Sequence, residues 1–259
     1  MTAGTALKAV RISKHFEGVV ALDGAELEVG YGEVVGLVGD NGAGKSTLVK
    51  IIAGVHPADS GTVLVDGEAV QFRSPAAAQR AGVQVVYQDL ALCGNLSAIA
   101  NIYLHRESVR FPSLGRLSPL DRDAMRNDAR KLVTGLGLLS SEDLTVPVAR
   151  LSGGQQQTIA IARAMLTACR VLLLDEPTAS LGIAERARVL EVIRTLRGHQ
   201  MGIVIVSHNL AELLEVADRV VVLRLGKSCG NFPAHTTPAE EIVAAIVGVG
   251  SKDKGVAYT

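Results

Sequence analysis

The sequence predicts an α/β fold with a mainly parallel sheet, an N-terminal antiparallel β portion and a helical insertion. Three observations support this prediction. Apolar runs typical of buried strands alternate with helical patterns through most of the chain, which favours parallel strands flanked by helices. Short strand-like segments separated by glycines lie near the start, and the strand signal disappears between Asp89 and Arg150.

The predicted strands fall into two groups. The segments near the start are expected to pair in antiparallel fashion, and they are residues 7–12, 25–29 and 62–65. The others are nearly continuous apolar runs, and they are residues 34–38, 83–87, 171–174, 203–206 and 220–223. Two sheets are therefore expected to meet near residue 39.

Helix signals and the insertion define the predicted domain organisation. Ser74 and Pro75 provide an N-cap and a first-turn proline for a short helix ending at Gly82. A second helix is predicted for residues 121–136. The chain is interpreted as one domain over residues 5–246; its α/β core comprises residues 5–88 and 151–246, its helical subdomain residues 89–150, and its tail residues 247–259.

Composition narrows the classes of protein. Of the 259 residues, 48% are hydrophobic, yet every apolar run is broken before it could span a membrane, so any membrane role is expected to be peripheral. Cys93, Cys169 and Cys229 are widely spaced and no signal-peptide pattern opens the sequence, which favours reduced thiols in the cytoplasm. Equal numbers of basic and acidic residues, 26 of each, give no broad basic surface for nucleic acid, so direct nucleic-acid binding is not expected, although a local basic patch stays open.

The segment after the run 34–38 fits the pattern G-x-x-x-x-G-K-[ST]. Such a loop between a strand and a helix binds phosphates on backbone N–H groups at the positive end of the helix. Lys45 is expected to reach the β- and γ-phosphates, and the Ser46 hydroxyl to ligate Mg²⁺. A glycine-rich turn without a ligand is the competing interpretation. The predicted phosphate-binding residues are Gly39, Asp40, Asn41, Gly42, Ala43, Gly44, Lys45, Ser46 and Thr47.

Polar residues follow three other apolar runs. Asp175 and Glu176 end one of them; we expect Asp175 to hold Mg²⁺ and Glu176 to be the general base that activates water. His208 follows the next run and could bond the γ-phosphate and the attacking water, although such a histidine alone is more often a structural cap. Gln88 alone is either a contact of Mg²⁺ and water or a surface residue. The positions of Gln88 and His208 relative to the other motifs favour the functional role for both.

The segment Leu151, Ser152, Gly153, Gly154 and Gln155 is the most informative in the chain. Ser152 and Gln155 form an S-x-x-Q capping box, and the residues that follow supply one apolar helix face. This segment, called the signature below, is therefore predicted to be a helix start.

In this order the motifs resemble those of the ATP-binding cassette family over residues 5–230. The resemblance implies a P-loop NTPase core that binds ATP and Mg²⁺ and hydrolyses ATP. It implies that Phe16 stacks on adenine, although an aromatic residue ending a first strand is a core residue at least as often. It also implies that the signature, including Ser152, Gly153, Gly154 and Gln155, binds the γ-phosphate of ATP held by a second cassette. Activity would then need two chains, in the simplest case a homodimer.

Finer similarity points to ATPase subunits of bacterial monosaccharide importers of the ribose, xylose and fructose type. It rests on residues 85–92, 101–104, 106–107, 206–209 and 216–219. Two residues depart from the wider family: Gly182 stands where an Asp usually closes the loop after the catalytic carboxylate, and His105 stands where Gly is usual. The similarity implies a peripheral subunit on the cytoplasmic face of the membrane. It would energise a permease that receives sugar from an extracytoplasmic binding protein.

Other functions stay open at this point. A cassette protein that acts on ribosomes or DNA is disfavoured because the sequence has neither a second cassette with a charged linker nor long heptad segments. A pseudo-enzyme that only scaffolds a complex is disfavoured by Lys45, Asp175, Glu176 and His208, whereas Gly182 favours it. An importer of another solute class also remains open, because none of these residues need touch the solute.

Overall fold

The computed structural model describes residues 4–135 and 144–249, with the side chains of 114–116 left aside. These residues form two compact units. Unit 1 consists of the described parts of Met1–Gln88, Cys169–Pro177 and Leu196–Thr259, and unit 2 of those of Asp89–Ala168 and Thr178–Thr195. Within the described residues, none of the helices has the length and apolar character needed to cross a membrane.

The strands of unit 1 form two sheets. In chain order they are β1 (Thr5–Phe16), β2 (Val19–Gly30), β3 (Val34–Val38), β4 (Ser60–Val65), β5 (Glu68–Val70), β6 (Val83–Val86), β7 (Val171–Asp175), β8 (Gly202–Val206), β9 (Arg219–Arg224) and β10 (Lys227–Pro233). The four-stranded sheet has the order β2-β1-β4-β5 and is antiparallel. The six-stranded sheet has the order β10-β9-β3-β8-β7-β6.

The six-stranded sheet is parallel except at one edge. β9, β3, β8, β7 and β6 run parallel, and β10 pairs antiparallel with β9. All residues of β3 and β8 are buried, as expected for strands covered on both faces. The predicted fold class is confirmed, and each predicted strand is present with slightly different bounds.

The helices include the three that the sequence predicted: the short helix after Ser74, the helix over residues 121–136 and the helix that starts at the signature. In chain order the helices are α1 (Lys45–Ile52), α2 (Pro75–Arg80), α3 (Ala98–Ile102), α4 (Arg122–Gly135), α5 (Gly153–Met165), α6 (Ile183–Arg197), α7 (Leu210–Leu214) and α8 (Ala239–Val247), with 3-10 turns at Pro112–Leu117 and Val148–Arg150. Ser74 caps α2, since its Oγ accepts the Ala77 N–H at 3.3 Å. The last residue of the helix predicted for 121–136 lies outside the described residues.

Unit 2 is built around α5. This helix packs against α3 and α4, and it buries Ile159 and Ala162 while α4 buries Met125 and Ala129. Because α5 shares this helical core, its residues belong to unit 2, whereas the sequence analysis assigned residues 151–246 to the α/β core. The predicted tail begins where α8 ends, and only its first residues, up to Val249, are described.

The core of unit 1 fixes the strand ends that carry the predicted site. Leu37 of β3, Leu173 of β7 and Val206 of β8 belong to one buried cluster with Leu48 and Ile52 of α1. The positions of these strands and of the helix that follows the glycine-rich loop therefore depend on a single packed core.

Candidate nucleotide site

Four adjacent parallel strands end at one edge of the six-stranded sheet. β3, β8, β7 and β6 are neighbours in that order. They are followed by the glycine-rich loop, by His208, by the Asp175-Glu176 pair that ends β7, and by Gln88. Open α/β sheets bind ligands at the carboxyl ends of their strands. Residues from four distant parts of the sequence therefore share the edge at which such sheets bind ligands.

Close backbone approaches explain two glycines of the loop. A Cβ on Gly39 would lie 2.1 Å from the Leu223 carbonyl oxygen, and one on Gly44 would lie 2.6 Å from the Ala21 carbonyl oxygen. Gly44 also has a φ of 102°, which favours glycine. The backbone of the loop thus packs closely against β9 and β2, and this packing determines the backbone conformation of the loop.

The loop leads into the N-terminus of α1. The first intrahelical bond of α1 runs from the Leu48 N–H to the Gly44 carbonyl at 2.9 Å. The N–H groups of the first turn therefore lie outside the helical ladder and give this end a partial positive charge. Asp40 stabilises the turn of the loop before α1, because its Oδ1 accepts the Asn41 N–H at 2.7 Å and its carbonyl accepts the Ala43 N–H at 3.1 Å.

Lys45 lies in a half-buried, acidic environment. Its Nζ donates to the carbonyl oxygens of Gly39 at 2.8 Å and Asp40 at 3.0 Å. Burial lowers the pKa of Lys45, and the nearby charges of Glu176, Asp40 and Asp175 oppose that shift. The ammonium group is held at the loop, where a phosphate oxygen could take the place of a carbonyl oxygen.

The carboxylate of Asp175 favours a cation. Burial raises its pKa, the charge of Glu176 raises it further, and Lys45 and Lys50 oppose the shift. A divalent cation would offset both causes. Among the residues described, no group of three or more His, Cys, Asp and Glu side chains is arranged to hold a metal ion. A carboxylate at the strand end next to the glycine-rich loop suits a cation that phosphate oxygens also coordinate, as Mg²⁺ prefers.

Glu176 and His208 form a hydrogen-bonded pair. Asp175 pairs with Val206, and the Glu176 N–H donates to the Val206 carbonyl at 2.9 Å, which carries the β7-β8 ladder one residue further. Glu176 has a φ of 52°, a left-handed conformation that few non-glycine residues adopt. Its Oε2 lies 2.7 Å from Nδ1 of His208. The Glu176 side chain is 17% exposed and that of His208 is 73% exposed. The more exposed imidazole of His208 therefore contacts the carboxylate of Glu176 from the side that faces solvent.

Gln88 and Phe16 lie at other ends of strands. Gln88 is exposed directly beyond β6, which leaves its amide accessible. Phe16 is the last residue of β1 and is 39% exposed, so it is not the core aromatic that the sequence left as an alternative. Its ring packs edge-on against His56 at 5.4 Å between centroids. Adenine stacking by Phe16 stays a prediction.

The signature is a helix start, as predicted. The Ser152 N–H donates to Gln155 Oε1 at 2.9 Å and the Gln155 N–H donates to Ser152 Oγ at 3.4 Å, which completes the capping box. Ser152 and Gly153 are half-buried, and Gly154 is buried. The N–H groups of this first turn lie outside the ladder of α5, as in α1.

Glu185, in the first turn of α6, lies beside the signature within unit 2. Its Oε2 accepts the Gly182 N–H at 3.2 Å. The pKa of Glu185 is lowered by the Gly182 N–H, by the Ser152 hydroxyl and by the N–H groups of Gly154 and Gly153. The sequence analysis missed this residue, because Glu185 reaches the signature only through the tertiary structure.

Arg163 was also missed. From the last turn of α5 its Nη1 donates to the Ala91 carbonyl at 2.9 Å and its Nη2 to the Leu90 carbonyl at 2.6 Å. Arg106 donates to the Arg163 carbonyl at 3.2 Å. These bonds fix the segment that directly follows Gln88. A basic residue in the apolar second half of α5 was the signal that could have drawn attention to it.

The two departures noted in the sequence differ structurally. His105 has a φ of 62°, which explains why glycine suits that position. At Gly182 the nearest atom to an added Cβ would be Glu185 Oε2, at an ordinary 3.8 Å. Contacts within the chain therefore do not require glycine at position 182.

The sequence pattern of the ABC transporter family matches residues 22–179. The chain is also 42% identical to the fructose import ATP-binding protein FrcA of Rhizobium meliloti, over 91% of this chain and 92% of that protein. The chain belongs to the ABC transporter family. The predicted family is thereby confirmed, and nucleotide binding follows from the family's ATPase domain.

Other ABC proteins give the same picture. The chain is 42% identical to the xylose/arabinose import ATP-binding protein XylG of Sulfolobus acidocaldarius, over 89% of each. It is 43% identical to the ribose import ATP-binding protein RbsA 1 of Burkholderia thailandensis, over 94% of this chain but 47% of that protein. The crystal structure of the ADP conformation of an ABC transporter cassette has 25% identity and a TM-score of 0.79, covering 94% of this chain and 95% of that one.

Proposed function

We propose that this chain is the ATP-binding and hydrolysing subunit of an importer for a monosaccharide. The main support for this proposal is the similarity of the chain, over nearly its whole length, to proteins named for fructose import and for xylose or arabinose import. The sheet edge supports the ATPase part, because it brings the phosphate-binding loop, the acidic pair and His208 together in unit 1. The names of these relatives favour transport over action on ribosomes or DNA.

Each residue at the sheet edge has a role in this proposal. The loop N–H groups and Lys45 bind the phosphates, because they supply backbone donors and a cation at the positive end of α1. Glu176 accepts a proton from the attacking water. His208 orients the Glu176 carboxylate through the 2.7 Å bond and leaves Nε2 available for the water or the phosphate.

A magnesium ion fits the donors at this edge. Ser46, Asp175 and Gln88 would hold it, with the carboxylate of Asp175 stabilised in its charged form. When bound, Mg²⁺ would polarise the phosphate oxygens and neutralise developing charge. The acidic pair at the end of β7 supports this part of the proposal, because both causes of the raised pKa of Asp175 are relieved by a cation.

The partners in this proposal are a second cassette, a membrane permease and an extracytoplasmic sugar-binding protein. The signature would bind the γ-phosphate of ATP held by a second copy of this chain. The subunit itself would lie peripherally on the cytoplasmic face of the membrane. Since the proposed site residues address ATP, Mg²⁺ and the second cassette, solute choice is assigned to the permease and the binding protein.

Reconstituted vesicles containing the cognate permease and binding protein test this function. ATP-dependent uptake of a labelled monosaccharide is expected to exceed uptake of amino acids, peptides or metal ions. Vesicles carrying the Glu176→Gln chain serve as the matched control and should show no sustained uptake. Robust amino-acid or lipid transport with monosaccharides inert would overturn the sugar assignment and leave the ATPase assignment intact.

A further inference from the structure

The hairpin formed by β1 and β2 ends beside the phosphate-binding loop of unit 1. A Cβ on Gly44 would lie 2.6 Å from the Ala21 carbonyl oxygen, so β2 touches the loop at that residue. Phe16 and Val19 are the last pair of the two strands, and Val19 stands two residues before Ala21. Since a strand rises about 3.3 Å per residue, the end of the hairpin lies roughly 7 Å along β2 from the loop contact. A base joined to phosphates at the loop can reach this end.

Apolar surface is exposed at the end of the hairpin. Phe16 is 39% exposed, Val19 66% and Val20 52%, which suits the flat apolar face of a nucleobase. Glu17 and Gly18, which follow Phe16, form the turn and have φ values of 40° and 90°. Because the ring is partly exposed next to a turn, the core does not fix it. Its orientation therefore depends on contacts with other surface side chains.

Two side chains contact the Phe16 ring. Lys14 Nζ lies over the ring at 5.4 Å from its centroid, and the His56 ring meets it at an interplanar angle of 71°. Lys14 stands two residues before Phe16 in β1, a spacing that places two side chains on the same face of a strand. An ammonium group within about 6 Å of a ring centroid is attracted to the face of the ring. Lys14 therefore favours one orientation of Phe16.

Lys14 is itself held in place by Asp59. Its Nζ donates to Asp59 Oδ1 at 2.6 Å, and the Lys14 side chain is only 12% exposed. The pKa of Asp59 is lowered to about 2, chiefly by the bond from Lys14 and also by the bond from the His15 N–H. The carboxylate is thus ionised at neutral pH, where it directs the ammonium group of Lys14 over the ring.

We propose that Lys14, anchored by Asp59, is a positioning residue that holds the Phe16 ring in the orientation needed to stack on the base of ATP. A ring that is fixed before binding loses less conformational freedom when the base arrives, which strengthens binding. This inference rests on the proposed function, specifically on stacking of the base on Phe16. It assigns to Lys14 and Asp59 a contribution to the affinity for a nucleotide that a bare phosphate chain does not need.

A purely structural tie is the alternative explanation for Lys14. Asp59 lies directly before β4, and its bonds hold that segment against β1. The His15 N–H donates to Asp59 Oδ2 at 2.7 Å, and the Asp59 N–H donates to the Ser13 carbonyl at 2.9 Å. These two bonds already join the segment to β1 without Lys14. A structural tie also predicts lower stability with no dependence on the base of the ligand.

Equilibrium titrations with two ligands separate the base from the phosphates. The ligands are ATP-Mg²⁺ and tripolyphosphate-Mg²⁺, which offers phosphates without a base, and every full-length chain carries Glu176→Gln so that ATP persists. Lys14→Met keeps the apolar stem and removes the charge. It should raise the dissociation constant for ATP about two- to fivefold and leave that for tripolyphosphate unchanged. Lys14→Arg, which keeps a cation that packs on aromatic faces, should bind ATP nearly as the parent chain does.

Three further variants complete the test. In a Phe16→Ala background Lys14→Met should have no additional effect, because its action requires the ring. Asp59→Asn should weaken ATP binding in the same direction as Lys14→Met, and it answers the same question if the Lys14→Met chain does not fold. The matched control is Lys8→Met on the same strand, where Lys8 pairs with Glu28 at 2.8 Å. It should leave the affinity for both ligands unaltered.

The possible failures are distinguishable. If Lys14→Met weakens binding of both ligands alike, or still weakens ATP binding without the Phe16 ring, Lys14 acts on the phosphates or on the fold and the inference is wrong. If Phe16→Ala weakens ATP binding and Lys14→Met does not, the inference alone fails. If Phe16→Ala leaves ATP binding unchanged, the stacking part of the proposed function fails, and the inference with it.

Discussion

The two helix starts that the proposal assigns to phosphate are prepared in different ways. At α1, in unit 1, the glycine-rich loop is fixed by backbone packing against β9 and β2, and the ammonium group of Lys45 donates to the carbonyl oxygens of Gly39 and Asp40. At α5, in unit 2, the donors are fixed by a capping box, and the carboxylate of Glu185 lies beside them. The first helix start thus has a cation beside its donors, whereas the second has a carboxylate nearby. The difference predicts that changes in unit 1 act on binding and chemistry, whereas changes at α5 act on pairing of two chains.

The largest expected effect comes from replacing Glu176, the proposed general base, which tests whether unit 1 carries the chemistry. Glu176→Gln should lower the ATP turnover number about 10²- to 10⁴-fold, because the group that accepts the proton from water is lost. ATP affinity should persist, since Glu176 is not a phosphate ligand. Turnover is measured by phosphate release and affinity by titration, with Glu191→Gln, at a 62% exposed side chain on α6, as the control. Unchanged hydrolysis would remove Glu176 from its role.

The His208 contact refines this test. If His208 acts by orienting Glu176, His208→Ala should cost much less in the Glu176→Gln background than in the unsubstituted chain, because residues that act as a unit are not additive. Equal losses in both backgrounds would mean that His208 acts independently of the 2.7 Å bond.

Removal of the loop cation should weaken nucleotide binding. Lys45→Ala deletes charge-assisted bonds to phosphate, each worth about 1.5–3 kcal/mol, so the dissociation constant for ATP should rise by at least about tenfold. Equilibrium titration measures the change. The exposed Lys131, 82% exposed on α4, offers a control in which Lys131→Ala leaves affinity unaltered. Equal affinity of the Lys45→Ala chain would contradict the assignment.

Mixing two inactive chains tests whether the α1 and α5 sites of different chains meet. A Lys45→Ala chain lacks the loop cation, and a Ser152→Arg chain blocks the signature. In a mixed dimer one composite site carries both lesions and the other carries none, so partial ATP hydrolysis should return. Activity of the mixture no higher than that of either parent would indicate that each site is complete within one chain.

The smallest predicted effect concerns acid. The pKa of Glu185 is lower in the folded chain than its ordinary value, chiefly through the Gly182 N–H. Its bonds therefore stabilise the fold above the ordinary pKa of glutamate, and that stability is lost as the pH falls through the lowered value. Denaturation of unit 2, followed by hydrogen exchange, should show a weaker dependence on acid pH in the Glu185→Gln chain. Parallel pH curves for the two chains would be evidence against the contact.

Much of the fold could be predicted because short stretches of sequence indicate most of its strands and helices. Buried parallel strands are recognisable as apolar runs in the sequence. The capping box and the pair Ser74-Pro75 predict helix starts to within a few residues. β10 was missed because Lys227–Pro233 is a polar edge strand containing Gly and Pro, which carries no apolar alternation. It follows the tight turn at Leu225 and Gly226, both with positive φ, and this turn was the available signal.

The candidate site divides in the same way. Residues at the ends of strands were found because the parallel sheet makes their positions predictable from the chain alone. Glu185, Arg163 and the bond between Glu176 and His208 depend on packing and on strand register, which no local pattern records. The assignment of α5 to unit 2 has the same origin, since its apolar face fits either an α/β core or a helical one until its partners are known.

The strand order also has a consequence for biosynthesis. β3 lies between β8 and β9 in the sheet, yet β8 follows it by about 160 residues in the chain. At roughly 5–20 residues per second, a ribosome exposes the apolar β3 for about ten to thirty seconds before either neighbour exists. During that interval neither sheet neighbour of β3 is available to pair with it. The six-stranded sheet is therefore expected to be completed only after β9 has been synthesised.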